Sequence, residues 1–282
     1  MSTETRARSR YVAVNGLKIH YVDWGNEGAT PMVLLHGLRA YGHWFDEFAE
    51  VVKDRYWVMA LDQRGRGESG WAKDGNYTTD AYVSDLEEFV GQLRLDKFVL
   101  GGHSMGGVNA LIYTAHHPDR VLALLILDMG PEVNPAGVQR IRQELAETPG
   151  EFGSWEQARA FIRKLHSKPS EENIRTRLKW MLKESPEGKI VWRLDKAILN
   201  PALRPDPPER VWSLLEKIKC PTLIVRGGVS DVLTVETCEK MVKVIPGSRW
   251  VEVPDAGHMV IEDNPQAFNA AVLDFLQTSA PV

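Results

Sequence analysis

Between residues 98 and 107 the chain reads Phe-Val-Leu-Gly-Gly-His-Ser-Met-Gly-Gly, and few architectures accept such a stretch. An apolar run short enough for a buried strand ends at two glycines, Ser104 follows, and after two more glycines residues 108–115 fit a helix. A strand therefore turns sharply into a helix at Ser104. Gly102 and Gly106 take side chains away where that turn crowds them. The geometry lifts one hydroxyl clear of the backbone and aims the N–H of Met105, at a helix start, toward whatever the hydroxyl attacks. Between a strand and a helix, Gly-x-Ser-x-Gly reads as the turn of a nucleophile rather than as loop punctuation.

The rest of the chain repeats strand and helix around this turn. Residues 11–14 and 17–24 flank Asn15-Gly16, a hairpin signal, so the fold opens with two antiparallel strands. Residues 32–35 form a short buried strand leading to His36-Gly37-Leu38-Arg39, and Trp44, Phe45, Phe48, Val51 and Val52 then recur at helical spacing. Residues 57–61 make another strand. The loop 62–70 after it is polar and glycine-rich but lacks the Lys-Ser/Thr of a phosphate loop, so it reads as a structural turn with Asp62 and Arg64 tying down backbone. Thr79 or Asp80 caps the next helix, and residues 121–127 form a buried strand ending at Asp128. Alternation of this kind predicts a parallel sheet.

From 131 to 219 the pattern changes to amphipathic helices, with Ser154 and Ser170 as caps and a proline-rich linker at 200–208. The expected organisation is a core of 1–130 and 220–282, with an all-helical insertion at 131–219 lying over the site as a cap. Trp155, Trp180, Trp192, Trp212 and Phe152 fall in that insertion. Aromatics at helical spacing usually pack inward; any facing the sheet would roof an apolar pocket.

Bulk properties narrow the partners. The 282 residues carry 34 Lys+Arg against 38 Asp+Glu, with no charged block resembling a nucleic-acid or lipid-binding tail. The longest apolar run is too short to span a bilayer and the N-terminus lacks a signal-peptide core. A small-molecule substrate, no nucleic acid, no membrane and a cytoplasmic location are expected; oligomeric state stays open. Cys220 and Cys238 have no metal-ligand spacing and read as reduced, packed thiols. The histidines are scattered, so neither a metal nor another cofactor is expected.

A serine hydroxyl is a weak nucleophile that needs a base, and the base needs an orienting carboxylate. Gly227-Gly228-Val229-Ser230-Asp231 and Pro254-Asp255-Ala256-Gly257-His258 each follow a late strand, and strand ends of a parallel sheet share one edge, so Ser104, Asp231 and His258 can converge there. Through His36-Gly37, Asp62-x-Arg64-Gly65-x-Gly67-x-Ser69, Gly102-x-Ser104-x-Gly106, Ser230-Asp231 and Gly257-His258, the chain resembles the α/β-hydrolase fold superfamily over nearly its full length.

That resemblance implies a mostly parallel, eight-stranded sheet with helices on both faces. It also implies roles: Ser104 as nucleophile, His258 as base, Asp231 as orienting acid, and the backbone N–H groups of Leu38 and Met105 as the oxyanion hole. Asp128 competes for the acid's role because it also ends a strand and some relatives place the acid there; Asp231 is favoured. Asp255 reads as a turn cap, His36 and His103 as loop hydrogen-bonders, and Arg39 as a structural ion pair more readily than an anchor for an anionic substrate. The expected activity is cofactor-independent hydrolysis of a small, largely apolar carboxylic ester or lactone through an acyl-enzyme. C–C bond or amide hydrolysis by the same triad, or a slow-turnover ligand receptor, are the alternatives.

Overall fold

A computed structural model of the protein describes residues 7–165, 170–199 and 206–279. The 200–205 part of the expected proline-rich linker lies outside these residues. Eight of its strands form one sheet in the order β1-β2-β4-β3-β5-β6-β10-β11. These are β1 (Arg8–Val14), β2 (Leu17–Asp23), β3 (Thr30–Leu35), β4 (Tyr56–Leu61), β5 (Phe98–His103), β6 (Val121–Leu127), β10 (Thr222–Gly227) and β11 (Ser248–Val253). β1 and β2 form the expected hairpin, with Asn15 and Gly16 both at positive φ. β2 runs antiparallel to β4, and every pairing from β4 to β11 is parallel.

Ten helices join these strands among the described residues: α1 (Asp46–Val52), α2 (Thr79–Gln92), α3 (Met105–His116), α4 (Pro135–Ala146), α5 (Trp155–Lys164), α6 (Glu171–Met181), α7 (Pro208–Leu215), α8 (Val235–Val244), α9 (Val260–Asp263) and α10 (Pro265–Ser279). Alternate residues of the central strands feed two cores. Met32 and Leu34 of β3 pack on one side with Phe48 of α1 and Phe268 and Phe275 of α10. Val33 and Leu35 pack on the other with Phe89 of α2, Leu111 of α3 and Met241 of α8. Continuous apolar strands such as β5 and β6 follow from this burial on both faces.

The segment between β6 and β10 departs from an all-helical insertion. Besides α4, α5 and α6 it holds a small antiparallel sheet, β7-β9-β8, made from β7 (Glu151–Phe152), β8 (Leu182–Glu184) and β9 (Ile190–Trp192). Strands of two or three residues are too short to show an alternating pattern. Ser154 and Ser170 cap α5 and α6 as expected, whereas Thr78, one residue before the expected position, caps α2. α7 lies inside the 131–219 range yet joins the layer of α3, with Val211, Leu214 and Leu215 in the second core. Cys220 and Cys238 are buried free thiols, pushed up by burial to about 11 and about 12 respectively. Among the described residues no helix is long and apolar enough to cross a membrane.

The 62–70 loop performs the structural work expected of it. Asp62 accepts the backbone N–H groups of Gly42 at 2.6 Å and Glu68 at 2.9 Å. Arg64 grips Asp85 of α2 with two bonds of 2.6 Å. The turn at Ser104 is held just as tightly: a Cβ on Gly102 would lie 2.1 Å from the Gly106 carbonyl oxygen, and one on Gly106 would lie 2.3 Å from that of Leu35. Neither backbone atom can retreat. Gly102→Ala is expected to lower the melting temperature by several degrees, as a destabilisation of about 2–3 kcal/mol or more would; calorimetry showing an unchanged transition would contradict this packing.

Candidate active site

β5 delivers Ser104 in an uncommon backbone conformation, φ 53° and ψ −122°, and α3 begins at the next residue. A non-glycine residue held at such angles costs on the order of 1–3 kcal/mol, which the close packing of Gly102 and Gly106 sustains. Ser104 lies in the wall of a cavity of about 580 Å³ that His258 also lines, so the two distant stretches do meet.

The carboxylate next to His258 is not the one favoured from the sequence. His258 Nδ1–H donates to Asp128 Oδ2 at 2.8 Å, while the Asp231 carboxylate is taken by Arg140 of α4, through Nε at 2.6 Å and Nη2 at 2.9 Å. The expectation that Asp231 partners His258 is corrected to Asp128, and strand order supplies the reason. β6 lies between β5 and β10, so a residue at its C-terminal end sits on the shared edge directly, whereas Asp231 stands four residues beyond β10 and turns outward to the cavity rim. The loop after β10 instead supports Asp128: Gly227 N–H donates to Oδ1 at 2.8 Å and the Ser230 hydroxyl to Oδ2 at 2.5 Å. Asp128 has no exposed surface, and a buried carboxylate requires such donors. One sequence signal was available, a charge placed immediately after seven apolar residues of a buried strand.

These bonds fix the chemistry of the imidazole. Asp128 can only accept, so Nδ1 of His258 carries the proton and the lone pair of Nε2 is left for a proton-bearing partner. His103 holds the same loop from below by donating Nε2–H to the His258 carbonyl at 2.8 Å. Burial, then the nearby charge of His258, keeps His103 well below the ordinary histidine range.

The loop after β3 is oriented by a second buried histidine. His36 Nδ1–H donates to the Gly37 carbonyl at 2.7 Å, and the Ala40 N–H bonds the same oxygen at 3.2 Å. In a trans peptide the Leu38 N–H then points the opposite way. Gly37 is close enough to Ser104 that a Cβ there would lie 3.1 Å from the serine Cβ. Arg66 fixes the next peptide by donating Nε–H to the Leu38 carbonyl at 2.7 Å. His36 Nε2 accepts the Gln63 N–H at 3.0 Å, which requires a neutral ring. Burial, reinforced by the Arg66 charge, lowers His36 to about 4.

Charged side chains span the cavity rim. Arg140 also bonds Glu144 at 2.7 Å, and Glu144 bonds Arg39 at 2.6 Å, so a chain of alternating charge runs from the Asp231 loop across α4 to the loop after β3. Arg39 is therefore a structural ion pair, and Arg140 is a site-lining residue that sequence reasoning missed. Deeper in the wall, Arg177 of α6 pairs with Glu262. The tryptophans of the insertion do not line this cavity: Trp180 stacks on His43 at 3.7 Å, Trp192 packs against Phe152 and Phe161, Trp212 donates to Glu132, and Trp155 is exposed. Tyr41 and Trp44 supply aromatic surface to the wall.

A model of the alpha/beta hydrolase fold family matches residues 30–265. The chain belongs to that family. It is 33% identical over 258 residues to a 3-hydroxybutyrate-oligomer hydrolase of Cupriavidus necator, covering 86% of this chain and 87% of that one. It is 30% identical over 261 residues to the sn-1-specific diacylglycerol lipase ABHD11 of Mus musculus, covering 89% and 82%. A crystal structure of an alpha/beta hydrolase from Novosphingobium aromaticivorans superposes with a TM-score of 0.82 at 28% identity, over 96% of this chain and 98% of that one.

His36 makes stability depend on pH. The unfolded chain takes up its proton near pH 6.5 and the folded chain only near pH 4, so the unfolded state binds more protons throughout that window. Stability is expected to fall as pH drops from 6.5 toward 4, by up to about 3 kcal/mol from this residue. Urea midpoints across the range measure it, and His36→Gln should flatten the slope.

Proposed function

We propose that the protein is a serine hydrolase that cleaves a carboxylic ester or lactone through an acyl-enzyme, with Ser104 as nucleophile, His258 as general base and Asp128 as the orienting acid. The observation that carries this is the 2.8 Å bond from His258 Nδ1–H to the buried Asp128 carboxylate, because it leaves Nε2 as the acceptor facing the cavity that Ser104 lines. Hydrolysis as such fits the family and its relatives; the ester is the finer reading. Oligomers of 3-hydroxybutyrate and diacylglycerols, the substrates in the names of the two relatives, are both esters.

In this reading Ser104 Oγ attacks the ester carbonyl carbon and its proton passes to His258 Nε2. Asp128 stabilises the imidazolium without itself becoming protonated. The developing oxyanion is received by the backbone N–H groups of Leu38 and Met105. Pinning of the Gly37 carbonyl supports the Leu38 donor, the start of α3 supports the Met105 donor, and loss of either would cost about 3 kcal/mol of transition-state stabilisation. His258 then gives its proton to the leaving alkoxide, and a water attacks the acyl-enzyme by the same route in reverse. The backbone donors stabilise the oxyanion and Asp128 the imidazolium, so each charge that develops in this sequence of steps has a partner in the chain.

The segment carrying α4, α5 and α6 acts as a cap over the site, since Arg140, Leu165, Arg177 and Met181 from it line the cavity. This wall mixes apolar and charged groups, which favours a short acyl ester with a polar substituent over the largely apolar substrate expected from the sequence. A hydroxyacyl ester has both characters.

Ser104→Ala is expected to abolish burst release from a 4-nitrophenyl ester while the protein stays folded. Asp128→Asn should lower kcat by about 10³–10⁴-fold by favouring the wrong imidazole tautomer, and Asp231→Asn by less than about tenfold. Steady-state kinetics decides between the acids: a severe loss in Asp231→Asn with a mild one in Asp128→Asn would reverse their assignment.

A further inference from the structure

At the β1–β2 end of the sheet, among residues that do not line the cavity, a second serine, histidine and aspartate are joined by hydrogen bonds. His20 of β2 lies with its Nδ1 2.7 Å from Asp62 Oδ2 and its Nε2 3.0 Å from the hydroxyl of Ser9 on β1. Asp62 and His20 are buried; Ser9 is exposed. The hydrogen-bond directions follow from the aspartate. Its two oxygens already accept the Gly42 and Glu68 N–H groups. Burial favours the neutral acid, but the hydrogen bond from His20 works against it and Asp62 is held below the usual carboxylate range. An ionised Asp62 must accept from His20 Nδ1–H; in the neutral ring Nε2 then presents its lone pair and the Ser9 hydroxyl donates to it. This is the relation that His258 has with Asp128 at the cavity, with the serine here open to solvent.

We infer that Ser9, polarised by His20 and Asp62, is a second activated serine that takes up an acyl or phosphonyl group from small reactive donors at the outer edge of the sheet. With a fluorophosphonate, Ser9 Oγ forms a bond to phosphorus as the phosphorus–fluorine bond breaks. The hydroxyl proton passes to His20 Nε2 and then to solvent, fluoride leaves, and Asp62 stabilises the transient imidazolium. Among the described residues, the edge strand that carries Ser9 pairs only with β2, and Ser9 is not at a helix start as Ser104 is beside Met105. Without a preorganised pair of donors for the oxyanion, the adduct forms slowly and is not turned over.

The experiment exposes the Ser104→Ala protein to a fluorophosphonate and maps the adduct by mass spectrometry after cleavage at glutamates, because Arg8 and Arg10 flank Ser9 and trypsin would leave a dipeptide. The expected result is an adduct on Ser9 at least about tenfold above that on the exposed serines Ser84 and Ser213. The excess should disappear in urea-unfolded protein, where the three residues are no longer aligned, and in His20→Gln. The comparison between serines in one folded sample stands even if His20→Gln does not fold. Ser9→Ala in the otherwise native chain should leave ester turnover within twofold. Labelling of Ser9 no greater than of the other serines, an adduct on neighbouring Tyr11 alone, or an excess that persists in urea would each overturn the assignment.

Discussion

A carboxylate with no exposed surface must be surrounded by donors, and the requirement at Asp128 organises the cavity edge of the sheet. Three donors converge on it: the Gly227 N–H, the Ser230 hydroxyl and the His258 imidazole. They come from the loops after β10 and β11, so one buried charge draws two late segments of the chain toward the end of β6. Without them the desolvated carboxylate would be several kcal/mol less favourable. With them it fixes the imidazole tautomer, and the acid–base character of the edge follows.

The strained turn at Ser104 and the loop after β3 complete that edge by similar means. Close backbone approach at Gly102 and Gly106 leaves the serine no alternative path. The neutral rings of His36 and His103 hold one peptide and one loop in place through single directional bonds. Both histidines lie buried below the reacting groups and are kept unprotonated by their surroundings, so their roles are positional. Above this rigid floor, the rim is joined by the chain from Asp231 through Arg140 and Glu144 to Arg39. Such partly exposed pairs add little to stability individually, but they link α4 to both sides of the cleft and set which polar groups a ligand meets.

Much of this was legible in the sequence because it depends on local rules. The strand-to-helix turn, the Asn15-Gly16 hairpin and the serine caps at 154 and 170 all follow from backbone preferences within a few residues. The acid did not follow so easily. Asp128 and Asp231 both come after strands, and choosing between them requires knowing that β6 lies between β5 and β10 and that α4 carries Arg140 to Asp231. The short strands β7, β8 and β9 left no periodic signal, and the packing of α7 against α3 rather than over the site is a matter of tertiary contact.

The sequence by itself determined the alternating architecture and the position of the serine turn, since glycine sterics and apolar periodicity act over short stretches of chain. Only the tertiary structure decided which carboxylate reaches His258, which arginines enter the cavity wall and where the tryptophans of the insertion lie. Those outcomes depend on distances between segments remote in sequence, where direct hydrogen-bond geometry and the exclusion of water select one partner from several chemically equivalent ones.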